Sequence, residues 1–201
     1  MQIRKTEFFA RWLDDLPDLR ARARVQVRIE RLAASNPGDV RPVGEGVSEL
    51  RIDYGPGYRI YFRPDGRELI ILLAGGDKSS QTKDIKAALR LARDLREVKS
   101  MGTTQTTQYD VAEHLRTPEE MAAYLEVCLE EADGDAAFVA KALGDIARAK
   151  GMTQVAKDAG LSRESLYKAL SGERSPGFDT ILKVLGALGI KLHAEAETVT
   201  K

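Results

Sequence analysis

A single cysteine in 201 residues, Cys128, excludes an internal disulfide framework and any cysteine-rich zinc site. The two histidines, His114 and His193, stand 79 positions apart with no ligand motif around either, so no metal and no cofactor is expected. No apolar run approaches the roughly 18 residues of a membrane span. The start, Met1-Gln-Ile-Arg-Lys5, lacks the apolar stretch of a signal peptide, so a cytoplasmic protein with no membrane partner is expected. Net charge is also absent, with 31 Lys and Arg against 31 Asp and Glu.

That zero hides two opposite halves. Residues 1–100 carry 20 cationic side chains against 15 acidic ones, and residues 101–201 carry 11 against 16. A basic half suits an anionic partner, and an acidic half can mask it. Between them lies Lys99-Ser-Met-Gly-Thr-Thr-Gln-Thr-Thr-Gln108, which has no apolar periodicity and carries a methionine, Met101, where a second reading frame can begin. The expectation is two domains, 1–98 and 109–201, joined by a linker over 99–108. A flexible coil of that length spans about 17 Å, so the second half reaches only nearby surface of the first.

In the first half, residues 2–5 suggest an edge strand. Thr6 can cap a helix whose Phe9, Trp12, Leu13 and Leu16 face a core, and Pro17 ends it. Residues 18–35 form a second helix with Val25, Ile29 and Leu32 inward. Arg20, Arg24, Arg28 and Arg31 lie on another face of it, which suits either plain solvation or contact with RNA phosphate. Asn36-Pro-Gly-Asp39 ends the helix, and residues 42–46 read as loop. Three strands follow. In the first, Leu50, Ile52 and Tyr54 alternate with Glu49, Arg51 and Asp53; in the second, Tyr58, Ile60 and Phe62 alternate with Arg59, Tyr61 and Arg63. The third, residues 68–74, is apolar throughout and must be the middle of the sheet. A last helix begins near Thr82, with Ile85, Leu89 and Ala92 inward.

The order β-α-α-β-β-β-α, the string Leu50-Arg-Ile-Asp-Tyr-Gly-Pro-Gly-Tyr-Arg-Ile-Tyr-Phe62 and the pattern Gly75-Gly-Asp-Lys-x-x-Gln81-x-x-Asp84-Ile85 resemble the RelE/HigB toxins of the addiction-module killer subgroup. The resemblance spans residues 1 to about 97. It implies a small endoribonuclease that enters the ribosomal A site and cuts mRNA during translation. Cleavage of RNA by its own 2′-hydroxyl needs a proton acceptor, cationic stabilisation of the phosphorane and help for the leaving oxygen. Residues 1–98 contain no histidine, so Arg51, Arg59, Lys78 and the tyrosines, Tyr58 among them, must carry the work. Lys78 acts as a base only if neighbouring positive charge such as Arg59 lowers its pKa, and otherwise clamps phosphate. Tyr54, Tyr58 or Tyr61 can stack on a base, with Arg20, Arg24 and Arg28 on the RNA backbone.

The second half is acidic and helical. Thr117-Pro-Glu-Glu120 starts a helix, with Thr as cap and Pro in the first position. Met121, Tyr124, Leu125, Cys128 and Leu129 fall on its buried face. Asp133-Gly-Asp135 breaks it, and residues 137–150 form the next helix, with Val139, Leu143 and Ile146 inward. In residues 152–170 a small residue, Ala156, a turn glycine, Gly160, and the apolar pair Leu161 and Leu166 take helix-turn-helix positions. Ser162 caps the second helix, whose exposed start presents Arg163, Glu164 and Ser165. Arg163 is placed to read bases and Lys168 to hold phosphate, while Gln154 can anchor the DNA backbone. Residues 178–188 form a further helix, and residues 190–194 suit a short strand. Residues 110–194 look like the HigA-type helix-turn-helix antitoxins of the addiction-module antidote group.

The expected fold is α+β: a RelE-like toxin domain with a small antiparallel-rich sheet and packed helices, followed by an all-α helix-turn-helix domain. The expected function is a type II toxin–antitoxin pair in one chain. Its partners are the ribosome and mRNA for the first half and operator DNA for the second, with toxin–antitoxin contact in cis or between chains of a homodimer. The alternative is a DNA-binding autorepressor whose toxin half is inactive.

Overall fold

The computed structural model describes residues 1–97, 105–173 and 175–193. Residues 99–104 of the expected linker, with Met101, lie outside them, as does Ala194. The chain divides into two compact units, Met1–His114 and Leu115–Lys201. Among the described residues the fold is α+β, with a six-stranded sheet and eight α-helices.

The first unit opens with strand β1, Gln2–Thr6, whose last residue caps helix α1, Glu7–Asp14: Thr6 Oγ1 accepts from Phe9 N at 3.1 Å. Asp18 caps α2, Leu19–Ala33, through hydrogen bonds from Arg20 N at 2.9 Å and Ala21 N at 3.1 Å. Each such cap contributes about 1 kcal/mol. Strands β2 (Val40–Gly44), β3 (Val47–Ile52), β4 (Tyr58–Pro64) and β5 (Leu69–Asp77) then form an antiparallel run, and helix α3, Gln81–Glu97, closes it. Across the sheet the order is β2-β3-β4-β5-β1-β6, with β1 parallel to β5 and β6 (Thr106–Gln108) antiparallel to β1. A short 3₁₀ turn, Val111–His114, ends the unit.

β5 is interior, as its apolar run requires. Two of its residues set the helices on opposite faces. A Cβ at Gly75 would lie 2.0 Å from the Trp12 ring of α1, and one at Gly76 would lie 1.8 Å from the Asp84 carboxylate of α3. Neighbouring strand residues point to opposite faces, so α1 and α3 cover the two sides, and only glycine admits either contact. Val47, Tyr61, Ile71 and Leu73 of the sheet share a core with Ala88 and Ala92 of α3.

Two expectations for this unit need correction. Residues 42–44, expected as loop, belong to β2, an edge strand in which Pro42 is tolerated because one side of the ladder has no partner. β1 is not an edge, because residues 106–108, expected as linker, pair with it. The polar side of β3 and β4 is covered as well: Glu49, Tyr61 and Arg63 are all buried under α3.

The second unit is helical. In α4, Pro118–Glu131, Thr117 Oγ1 accepts from Glu120 N and the Glu120 carboxylate accepts from Thr117 N, a closed capping box. Cys128 is buried in the core of this helix as expected, and burial pushes its thiol up; Leu129, expected beside it, is exposed. After α5, Ala136–Lys150, come α6, Met152–Asp158, and α7, Arg163–Ala169, joined by a turn through Gly160 at φ +67°. Helix α8, Phe178–Leu188, stops at Gly189, and Ile190 N donates back to Leu185 O. That bond wraps the chain around the helix end, and residues 190–193 form no strand. No described helix is long and apolar enough to cross a membrane.

Candidate functional site

In the first unit the register of β3 and β4 sets Arg51 directly opposite Arg59, a pairing that repels unless a carboxylate lies between them. Glu49 supplies it. Arg51 Nε donates to Glu49 Oε2 at 2.8 Å, and Arg59 Nε lies 3.1 Å from Oε1 as an ion pair without the alignment of a hydrogen bond. Oε1 also accepts from Gln81 Nε2 at 2.7 Å and from the Tyr61 hydroxyl at 3.2 Å. Arg59 Nη1 donates to Gly57 O at 2.6 Å, so its guanidinium is held at both ends.

Lys78 stands exposed in the turn after β5. Gly57 lies between the two cations: a Cβ there would be 3.4 Å from Arg59 Nη1 and 3.8 Å from Lys78 Cβ. Arg51, Arg59 and Lys78 therefore gather at one end of the sheet, with Arg59 and Lys78 flanking Gly57, a set of donors suited to a phosphate. The turn beside Lys78 is tied by the Asp77 carboxylate, which accepts from Ser79 N at 2.7 Å and from Ser80 N at 3.3 Å.

Tyr58, in register with Asp77, is buried; burial, then the charges of Asp18 and Asp77, push its pKa up and keep the phenol protonated. Tyr61 is fully buried, and burial with the neighbouring Glu49 pushes it up further. Its ring is therefore closed to base stacking, and its hydroxyl serves Glu49 instead. Tyr54 is half-buried with the Arg24 guanidinium 4.9 Å from its ring centre, which joins two of the expected RNA-facing residues. Arg20 is half-buried at the start of α2. Arg28 is directed elsewhere, its Nη2 donating to Pro37 O at 3.1 Å in the loop after α2.

Sequence reasoning missed Glu49 and Gln81 as members of this cluster. Glu49 alternates with Leu50 and Ile52 as a solvated residue would, and only the cover provided by α3 reveals it. Gln81 stands within the motif quoted above, at the first residue of α3, where a side chain can reach back over β3.

In the second unit Ser162 Oγ accepts from Ser165 N at 3.0 Å and caps α7, leaving Ser162, Arg163, Glu164, Ser165 and Lys168 exposed on one short helix. Arg163 lies over the Tyr167 ring at 5.5 Å, and Gln154 is exposed on α6 with Nε2 donating to Asp158 at 2.7 Å. Arg148, Gln154, Arg163 and Tyr167 line one open groove. Leu166 is fully buried at the helix crossing, and Leu161 is half-buried. Behind them, buried Asp145 accepts from Arg148 at 2.6 Å, Lys141 at 3.1 Å and the Tyr124 hydroxyl at 3.3 Å, a network that fixes α4 to α5 and was not legible in sequence.

Residues 105–196 match a family described as "Probable addiction module antidote protein", and residues 11–97 match "Phage derived protein Gp49-like". An uncharacterised protein of Haemophilus influenzae is 50% identical over 95 residues, which are 47% of this chain and 96% of that protein. A second uncharacterised protein of the same strain is 48% identical over 93 residues, 46% of this chain and 94% of the relative. No solved structure matches the chain significantly. Two family matches lie end to end along the chain, and together they support a toxin–antitoxin module, with a Gp49-like segment over residues 11–97 and an antidote-like segment over residues 105–196.

Proposed function

We propose that the chain is a type II toxin–antitoxin pair in one polypeptide: a RelE/HigB-like, ribosome-dependent mRNA endoribonuclease followed by a HigA-like helix-turn-helix antitoxin that binds its own promoter. The observation that carries the nuclease reading is the convergence of Arg51, Arg59 and Lys78 at one end of the sheet, with Glu49 orienting the two arginines. Preorganised cations suit a dianionic phosphorane, and Tyr58, kept protonated, suits hydrogen-bond donation rather than proton abstraction. Lys78, exposed to water, serves best as a clamp on the scissile phosphate. Expression of residues 1–98 alone should arrest growth while the intact chain is harmless, and a reporter mRNA should be cut only when ribosomes are loaded on it. Normal growth with soluble residues 1–98 would favour the second reading, an autorepressor with an inactive toxin half; the pairing of both arginines to one carboxylate is the feature on its side.

For DNA, the exposed face of α7 is the reading element. A single such helix offers few contacts on an acidic unit, so binding should require a homodimer on half-sites about 34–36 Å apart, or a multiple of that. Arg163→Ala should relax base preference at one position at a cost of about 1–3 kcal/mol, whereas Lys168→Ala should weaken all sequences alike and reduce the salt slope by about 1. Mobility shifts on the promoter fragment at several salt concentrations separate these. Wild-type behaviour from both variants would place the recognition surface elsewhere.

A further inference from the structure

The antidote match begins at residue 105, yet residues 105–114 fold into the first unit. Thr106–Gln108 pairs antiparallel with β1 in the register Thr6↔Thr106, Lys5↔Thr107 and Arg4↔Gln108, and Tyr109 N extends the ladder to Ile3 O at 2.9 Å. Without this strand, β1 would present a row of open N–H and C=O groups with Lys5 on the edge, the usual guard against unwanted pairing. The guard is matched by name. Lys5 is 6% exposed, and its ammonium lies 3.0 Å from His114 Nε2, 3.4 Å from Glu113 Oε2 and 5.4 Å from the centre of the Tyr109 ring. An ammonium has only protons to give, so His114 Nε2 is the acceptor and Nδ1 carries the proton, 3.3 Å from Asp14 Oδ1. Tyr109 stacks on His114 at 5.5 Å and 23°, and Val111 is buried beside them. On the other side of the strand, Arg4 Nε donates to Thr106 Oγ1 at 2.8 Å.

We infer that residues 105–114 are the docking arm of the antidote: a strand added to the open β1 edge of the toxin, locked by Tyr109, Glu113 and His114 closing over Lys5. Backbone pairing supplies affinity, and the pocket around Lys5 supplies selectivity for this toxin over other sheet edges. The inference rests on the toxin–antitoxin reading for its biological meaning, but its physical content is separable. The arm lies at the opposite end of the strand order from β3 and β4, so it tethers the antidote without itself covering Arg51 and Arg59.

The test uses the whole chain with a protease site inserted between Gly102 and Thr103. After cleavage, the two fragments should co-elute at micromolar concentration. An excess of a peptide spanning residues 105–114 should displace the second fragment, and the same peptide carrying Thr107→Pro, which removes a ladder N–H, should not. In the nicked chain, Tyr109→Ala should speed dissociation by about 10- to 100-fold, the range for an aromatic anchor. Nicked wild-type chain that falls apart at once, or fragments that ignore both the peptide and Tyr109→Ala, would overturn the docking arm. Translation is followed in the same samples. Fragments that separate as expected without arresting translation leave the docking arm standing and refute the nuclease reading instead.

Discussion

Arg59→Ala and Lys78→Ala, made singly, are each expected to lower mRNA cleavage by about 10²–10³-fold, the usual cost of losing one preorganised charge stabiliser. The two act differently. Arg59 is held by Glu49 on one side and by Gly57 O on the other, so its fork is aimed before RNA arrives. Arg59→Lys keeps the charge but loses the planar fork, and should recover only part of the rate. Lys78 is placed by the turn that Asp77 ties, and its side chain is exposed, so Lys78→Ala should leave stability unchanged. Cut sites mapped on a translated reporter, with each variant at equal concentration, measure both. Undiminished cleavage by the double alanine variant would remove the cluster from the mechanism.

What could be read in advance follows from where each signal resides. Helices announce themselves through caps and the period of apolar residues, so Thr6, Thr117 and Ser162 mark starts that the structure repeats within a residue or two. The turn through Gly160 and the fully buried Leu166 follow from the same local chemistry. Arg51 and Arg59 were legible as cations on adjoining strands, and Lys78 as one in the turn that follows the next strand. The carboxylate between them was not, because burial of the polar side of β3 depends on a helix that starts more than thirty positions later. Strand β6 was invisible for a different reason: Thr-Thr-Gln carries no apolar pattern, and its pairing is made by backbone groups that every residue has. Residues 190–193 show the opposite error, a β-like composition without a partner edge.

Glu49→Ala is expected to destabilise the first unit by about 3–5 kcal/mol, the cost of removing one partner from a buried ion cluster. The lower end is favoured because Arg51 keeps 27% of its side chain exposed and can recover water. Glu49→Gln should cost less, since its amide oxygen can still accept part of the three hydrogen bonds that the carboxylate takes from Arg51, Gln81 and Tyr61. The pH dependence identifies the cause. Burial alone would raise the Glu49 pKa, but the hydrogen bonds from Arg51 and Gln81 and the charges of Arg51 and Arg59 outweigh it and hold the carboxyl below its ordinary 4.5. Between the folded and unfolded values the unfolded chain binds the extra proton, so stability rises with pH there. The contribution of Glu49 is complete above the unfolded value and is lost as the pH falls through the folded one. Glutamine has no proton to take up. The gap between wild type and Glu49→Gln should therefore be widest near neutral pH and close as the solution is acidified through the carboxylate range. Trp12, the only tryptophan, lies in the first unit, so denaturant unfolding followed by its fluorescence reports this unit. Glu45 and Asp77, also held below their ordinary values, titrate in both proteins and cancel in the difference. A gap that stays constant from about pH 7 to about pH 3 would show that Glu49 contributes through packing and not through its charge.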